Sequence, residues 1–139
     1  MKNAKMGKID IAELNVPPEK HEYETAKYFA NRGYNVKFVK PSDVKGFNSP
    51  DFKMCGKIWE TKRPTSSSND SFEHNFRKAV KQSGNIIFDL RRLDMKVERK
   101  YISKLKKASN LPRLKILLVI TLDGQLLTLR GRFDSIKLR

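Results

Sequence analysis

Ser49-Pro50-Asp51-Phe52-Lys53-Met54-Cys55-Gly56-Lys57-Ile58-Trp59-Glu60-Thr61-Lys62 is the stretch on which the reading of this chain turns. Cys55-Gly56 has the composition of a tight two-residue turn, and apolar residues flank it at strand spacing, so the segment predicts a β-hairpin. Counting outward pairs Met54 with Lys57, Lys53 with Ile58, Phe52 with Trp59 and Asp51 with Glu60. Directly opposed residues share a face. Phe52 and Trp59 therefore form a core pair, while Asp51 and Glu60 oppose each other on the other face, with Lys62 two residues further along the same side.

Two like charges in direct opposition repel unless a cation lies between them or the strand face is fully solvated. The first case calls for a hard divalent ion. Carboxylate oxygens suit Mg²⁺ or Mn²⁺, with Zn²⁺ behind them, and such ions keep waters and take phosphate oxygens as further ligands. A metal so held eases deprotonation of a bound water and offsets charge on a scissile phosphate, and the Lys62 ammonium is suited to orient that water or stabilise the charge. In the second case Asp51 ends a turn after Pro50, and Glu60 pairs with Lys62 or Lys53 on a solvated strand, the ordinary meaning of a lone Glu-x-Lys. The apolar hairpin and a Pro-Asp at matching distance favour the metal.

Upstream of the hairpin, Tyr23, Ala26, Phe29 and Ala30 recur at helical spacing after Pro17-Pro18, predicting a helix over 19–32 stopped by Gly33 and followed by a strand over 34–39. Glu22 lies four residues before Ala26 and seven before Phe29. It is either a third metal ligand or a first-turn acid that complements the helix dipole. Residues 1–18 lack periodicity and read as a linker, leaving 19–139 as the domain, and 40–50 is rich in turn formers.

Downstream, a polar serine-rich loop over 65–71 precedes a second helix, on which Phe72, Phe76, Ala79, Val80 and Ser83 repeat up to Gly84. Residues 85–91 form a core strand, and 94–109 a third helix with Val97, Tyr101, Ile102, Leu105 and Ala108 inside and lysines outside. A closing hairpin joins 114–122 to 125–130 around Asp123-Gly124. The predicted order is αβββαβαββ.

The chain carries 30 basic and 15 acidic side chains among 139 residues, a net charge of +15 that draws it to polyanions, nucleic acid first. Residues 1–90 hold 16 basic and 11 acidic groups, whereas 91–139 hold 14 and 4, which suits a metal site followed by a substrate-binding half. The candidates for phosphate contact are Lys53, Arg63, Arg77, Lys78 and Lys81, with the basic face of the third helix. Cys55 is the only cysteine, which rules out an intramolecular disulfide and a thiolate-rich zinc site. The first eighteen residues are polar and lysine-dotted, so they predict neither signal peptide nor anchor, and no stretch is long and apolar enough for membrane insertion. His21 and His74 are expected at the surface, and Asp89 in an ion pair with Arg91 or Arg92. Gln82, late on the second helix, is read as a surface amide or as a group that orients a phosphate or water.

Ser49-Pro50-Asp51 followed by Trp59-Glu60-Thr61-Lys62 resembles the signature of the PD-(D/E)xK nuclease superfamily. The wider run resembles one branch of it, the C-terminal tRNase toxin domains of CdiA-type contact-dependent growth inhibition proteins. That run comprises Val16-Pro17-Pro18-Glu19-Lys20-His21-Glu22 into Thr25-Ala26, Gly33-Tyr34-Asn35-Val36, and Gln82-Ser83-Gly84-Asn85-Ile86-Ile87-Phe88-Asp89, so the resemblance extends from about residue 16 to residue 92. It implies a restriction-endonuclease-like α/β fold, a mixed sheet flanked by helices with the active hairpin in its middle. It also implies metal-dependent endonuclease activity on tRNA and a cognate immunity protein, expected to be acidic. Carried over residue by residue, Glu22 matches the first-helix acid, Asp51 and Glu60 the metal-binding acids, Lys62 the catalytic lysine and Gln82 the second-helix glutamine. Action in a bacterial cytoplasm after delivery into a target cell follows from the same resemblance. The family's domains end very large delivery proteins; with Met1 at its start, this chain is expected to be an excised, mobile-element-borne or stand-alone version. The residues themselves leave open a DNA endonuclease of the same fold and a non-catalytic basic module, because none of them is seen to read a 2′-OH.

Overall fold

The computed structural model describes residues 6–40, 51–65 and 69–133, without the side chains of 69–71. The turn-rich stretch at 41–50, which includes Ser49-Pro50, and the centre of the serine-rich loop at 66–68 lie outside the described residues. The chain divides into two compact units, one running to Trp59 and the other Glu60–Phe133.

In the first unit, strand β1 (Ile9–Asp10) leads to helix α1 (Lys20–Ala30), strand β2 (Val36–Phe38) and a hairpin of β3 (Phe52–Met54) with the start of β4 (Lys57–Lys62). The Glu22 carboxylate accepts the Glu19 N–H at 3.2 Å and closes a capping box at the start of α1. Thr25, Ala26, Tyr28, Phe29 and Ala30 are buried. Tyr23, expected on this stripe, is 40% exposed. Tyr23 and Tyr28 flank the stripe on opposite sides, and it is the Tyr28 side that is covered, its ring edge-on to Phe29 at 5.2 Å. Gly33 (φ 98°) ends the helix as predicted: its N–H reaches the Ala30 carbonyl and that of Tyr34 the Phe29 carbonyl, each at 3.0 Å. That left-handed closure is strained for any residue with a Cβ.

β1 is an element that no sequence pattern announces, since two residues are too few for a period. It pairs in parallel with β2 (Ile9↔Val36), and the Val36 N–H donates to the Lys8 carbonyl at 2.9 Å. Nearby, Glu13 and Lys37 form an ion pair at 3.0 Å, which holds the Glu13 carboxyl below its ordinary pKa and raises that of Lys37.

The hairpin register is the one counted from the turn: Met54↔Lys57, Lys53↔Ile58 and Phe52↔Trp59. Cys55 (φ 56°) and Gly56 (φ 73°) both adopt positive φ, a type I′ turn whose twist matches the strands. Phe52 and Trp59 are fully buried, and Trp59 Nε1 donates to the Met54 carbonyl at 2.9 Å.

In the second unit the last three residues of β4 run parallel to β5 (Asn85–Asp89), with Glu60↔Ile86 and Lys62↔Phe88, and helix α2 (Asn69–Gln82) connects the two. Helix α3 (Met95–Ala108) then leads to β6 (Ile116–Ile120), parallel to β5, and β7 (Leu126–Arg130) returns antiparallel. Ile86, Phe88 and Leu90 join Leu117 and Val119 in a core with Phe72, Phe76 and Ala79 of α2 and Tyr101 and Leu105 of α3. Alternation puts these strand residues on one face, so α2 and α3 lie side by side over it. The rings of Phe72 and Tyr101 bridge the helices edge-on at 5.1 Å, and Phe76 stacks on Phe88 at 6.2 Å. Such ring pairs add about 0.5–1.5 kcal/mol each beyond the area they bury. Ile87, Ile116, Leu118 and Ile120 are buried as well, as expected of central parallel strands covered on both faces.

Asp94 caps α3 by accepting the Val97 N–H at 2.9 Å, and Ser109 ends the helix, so its bounds agree with the sequence reading. The last hairpin closes over three residues rather than two: Thr121 N–H meets the Gln125 carbonyl at 2.8 Å, with Gly124 at φ 87°. The architecture is mixed α/β. Among the described residues there are three helices and a seven-stranded mixed sheet in the order β1-β2-β3-β4-β5-β6-β7.

Candidate active site

β4 presents Glu60 and Lys62 on the same side by simple alternation. Lys62 Nζ lies 3.1 Å from Glu60 Oε2, and the Glu60 side chain is 4% exposed. This is the Glu60–Lys62 pair the sequence allowed, but not on a solvated strand: Trp59, Glu60 and Thr61 are consecutively buried. The period of two is lost there because β4 has passed from antiparallel pairing with β3 to parallel pairing with β5, and strands so placed are covered on both faces.

The last turn of α2 supplies the cover over Glu60. With its amide turned so that the nitrogen faces the two acceptors beside it, Gln82 donates to Glu60 Oε2 at 2.8 Å and to the Lys78 carbonyl at 3.3 Å. One carboxylate oxygen thus receives both an ammonium and an amide. The contact joins residues far apart in sequence; the sequence reading offered Gln82 as a group that orients a phosphate or water, and the resemblance as a site residue, but neither paired it with Glu60.

Of the five residues proposed to carry chemistry, Glu60, Lys62 and Gln82 are brought together in the second unit. Glu22 and Asp51 belong to the first. Glu22 is half-buried and engaged in the capping box of α1. Asp51 lies one residue outside β3, beyond the last pair of the ladder, Phe52↔Trp59: its N–H donates to the Trp59 carbonyl at 2.9 Å and its carbonyl accepts the Val39 N–H at 3.1 Å. Among the described residues no group of three or more His, Cys, Asp or Glu side chains is gathered.

The phosphate-contact candidates differ in setting. Lys53 is exposed in the first unit. Arg63 is half-buried, with its guanidinium on the Thr61 hydroxyl. Arg77, Lys78 and Lys81 line a concavity of about 480 Å³ together with Glu73 and His74. Arg77 pairs with Glu73 at 3.6 Å, an exposed contact worth little. His74 was expected to be an ordinary surface residue; its spacing of three and four residues from Arg77 and Lys78 is the signal that it shares their face. Asp89 is the structural ion pair expected of it, held by Arg91 through Nε at 2.9 Å and Nη2 at 2.8 Å. No described helix is long and apolar enough to cross a membrane.

Among curated proteins none matches this sequence. The fold is similar to that of a chain in the CdiA-CT/CdiI toxin and immunity complex from Burkholderia pseudomallei, with a TM-score of 0.65 and 20% identity, over 90% of this chain and 100% of that one. Residues 48–126, more than half of the chain and the part that holds Asp51, Glu60, Lys62 and Gln82, match the contact-dependent growth inhibition CdiA C-terminal domain. The chain belongs to that family.

Proposed function

We propose that this domain is a metal-dependent endonuclease toxin of the PD-(D/E)xK type, with a restriction-endonuclease-like fold, that cleaves tRNA in the cytoplasm of a target bacterium. The observation that carries the reading is the Glu60–Lys62–Gln82 cluster: a carboxylate 3% exposed, held by an ammonium and an amide. Its partners are a point charge and an amide rather than a closed bidentate fork, so they can turn to a water or a phosphate.

Asp51 and Glu60 are the proposed metal ligands; Glu22 can serve as a third acid only by releasing the Glu19 N–H of its capping box. The register counted from the turn sets Asp51 against Glu60; the β3–β4 ladder holds the three inner pairs and ends at Phe52↔Trp59. The donor set fits a hard ion, carboxylate oxygens without a thiolate or imidazole, and two protein ligands suffice for Mg²⁺ or Mn²⁺, which retain several waters. When bound, such an ion supplies an acidified water and neutralises charge on the phosphate. The chain's own groups do the rest. Gln82 fixes the rotamer of Glu60 through Oε2. Lys62, a compact ammonium on a flexible stem, donates to the attacking water or to a phosphate oxygen as negative charge builds there. Lys53, Arg63, Arg77, Lys78 and Lys81 hold the flanking phosphates. An acidic immunity protein is the expected inhibitor, because a chain of net charge +15 is best neutralised by its electrostatic complement.

The test is to incubate the purified domain with total tRNA and with plasmid, in Mg²⁺, Mn²⁺ or EDTA, beside Glu60→Gln and Lys62→Ala. Cleavage of tRNA that needs the metal and is abolished in both variants is the expected result. RNA cleavage that survives EDTA sinks the metal mechanism. Plasmid cut while tRNA is spared makes the domain a DNA endonuclease, and tight binding without cleavage makes it a binding module.

A further inference from the structure

The outer face of α3 has no role in the cluster around Glu60, and its chemistry is uniform. Lys96, Arg99, Lys100, Lys106 and Lys107 are all exposed. At 100° per residue they fall within a band about 120° wide, with Ser103 in its middle and no apolar or acidic residue in it. From Lys96 to Lys107 the band runs about 16 Å at 1.5 Å per residue. Among the described residues none of the five forms an ion pair, and the two acids of this helix and its cap are occupied elsewhere: Asp94 caps the first turn and Glu98 accepts the Leu122 N–H. Five cations held within one narrow band repel one another, a cost that an external polyanion relieves.

Three kinds of anionic partner answer to such a band, and the rest of the helix separates them. A membrane-surface helix needs its apolar side free to enter the lipid, but the apolar side of α3, Tyr101 and Leu105, is fully buried in the core. A protein partner is bound around an apolar or aromatic centre with a polar rim, and this face offers no such centre. A nucleic-acid backbone asks only for spaced Lys, Arg and hydroxyl groups. Moreover α3 lies directly beside α2, the helix that carries Arg77, Lys78, Lys81 and Gln82, as the Phe72–Tyr101 contact requires.

We propose that the outer face of α3 is a second RNA-backbone site, which grips a part of the substrate away from the cleaved bond. It rests on the nuclease reading for the identity of the polyanion but not for its existence. The site supplies affinity without sequence preference, so it governs how firmly a large folded RNA is held rather than which bond is cut.

The experiment compares the full chain with Lys96→Gln/Lys100→Gln/Lys107→Gln and with a control, Lys8→Gln/Lys20→Gln/Lys27→Gln, which removes as many exposed lysines from the first unit. Fluorescent tRNA is titrated in EDTA between low and moderate salt. The α3 variant is expected to weaken binding about tenfold or more, and to flatten the slope of log affinity against log salt by about 2–3, near one unit for each phosphate that is no longer neutralised. The control is expected to move the slope by less than about 1. Equal slopes for the α3 variant and the unaltered chain overturn the proposal, and so does a control that flattens the slope as much. A variant that loses affinity for polyglutamate but keeps it for tRNA marks a protein-docking face instead and also overturns it. Binding is read without turnover, so an α3 effect in a chain that cuts no RNA refutes the nuclease reading alone, while cleavage with no α3 effect refutes this inference alone.

Discussion

Two neighbouring strands of the second unit carry the same short pattern, an acid followed two residues later by a base, and fold it to different ends. On β4 it is Glu60-Thr61-Lys62; at the end of β5 it is Asp89, with Leu90-Arg91 just beyond the strand. Both acids are nearly inaccessible, at 3% and 4%, and each contacts the base two residues further on, at 3.1 and 2.8 Å. Arg91 closes a planar fork on both oxygens of Asp89, and its backbone N–H adds a third donor to Oδ1. That is a self-contained fastening. Lys62 brings a point charge to Oε2 of Glu60, shared with an amide from another element. A point charge on a flexible stem can exchange its partner for a water or a phosphate, and a bidentate fork cannot do so cheaply. The β4 pattern therefore suits chemistry and the β5 pattern suits stability.

The strongest way to break that contrast is at Glu60. Glu60→Gln keeps the shape and an acceptor for Lys62 and Gln82, so the fold should survive, while tRNA cleavage should fall by about 10³-fold. Thermal unfolding and single-turnover cleavage measured on the same preparation check both halves. A variant that cleaves normally ends the distinction between the two strands.

Lys62 comes next. Lys62→Ala should cost about 10²-fold in cleavage, and Lys62→Arg should fail to restore it, because a guanidinium fork would close on Glu60 as Arg91 closes on Asp89. Full rescue by arginine would mean that charge alone matters and that the comparison has no content.

At Asp89 the expectation reverses. Asp89→Asn should leave cleavage per folded molecule unchanged and lower stability by about 2 kcal/mol, less than for a wholly buried pair because the Arg91 side chain is 33% exposed and can turn to water. Urea unfolding measures the loss. Cleavage abolished with stability intact would make β5 part of the active site.

The contrast also shows what was legible beforehand. The β3–β4 register was readable because a type I′ turn leaves one alignment and a period of two then fixes every pair, Phe52 with Trp59 included. α3 was readable to its ends because Asp94 is a cap and its stripe is unbroken. The Asp89 ion pair was readable because its partner is local. The burial of Glu60 was not, since it depends on a parallel neighbour and on the end of a helix reached only after α2 has been built. Nor was β1, whose two residues are held by a strand they do not adjoin in sequence. Local periodicity reports an element's own faces; it says nothing of what later covers them.

The smallest expected effect lies at Tyr101, the buried ring that joins α3 to α2, and it tests whether the core behind both acid–base pairs is dry. Burial raises the Tyr101 phenol from 10.0 to about 12, and among the described residues its oxygen has no hydrogen-bond partner. Below pH 10 the phenol keeps its proton folded or unfolded, and its contribution is constant. Between pH 10 and 12 the unfolded chain releases the proton while the folded one retains it, so stability falls as pH rises through that window. At pH 11 the loss is about 1 kcal/mol, since one pKa unit is about 1.4 kcal/mol. Any other change of charge on the +15 chain over that range is shared by Tyr101→Phe. The difference between the urea midpoints of the two proteins at pH 9 and at pH 11 therefore isolates the phenol. A widening gap in favour of Phe at the higher pH is the expected result; parallel behaviour would mean that water reaches the Tyr101 oxygen, and that the face carrying Phe88 and Phe72 is wetter than its packing implies.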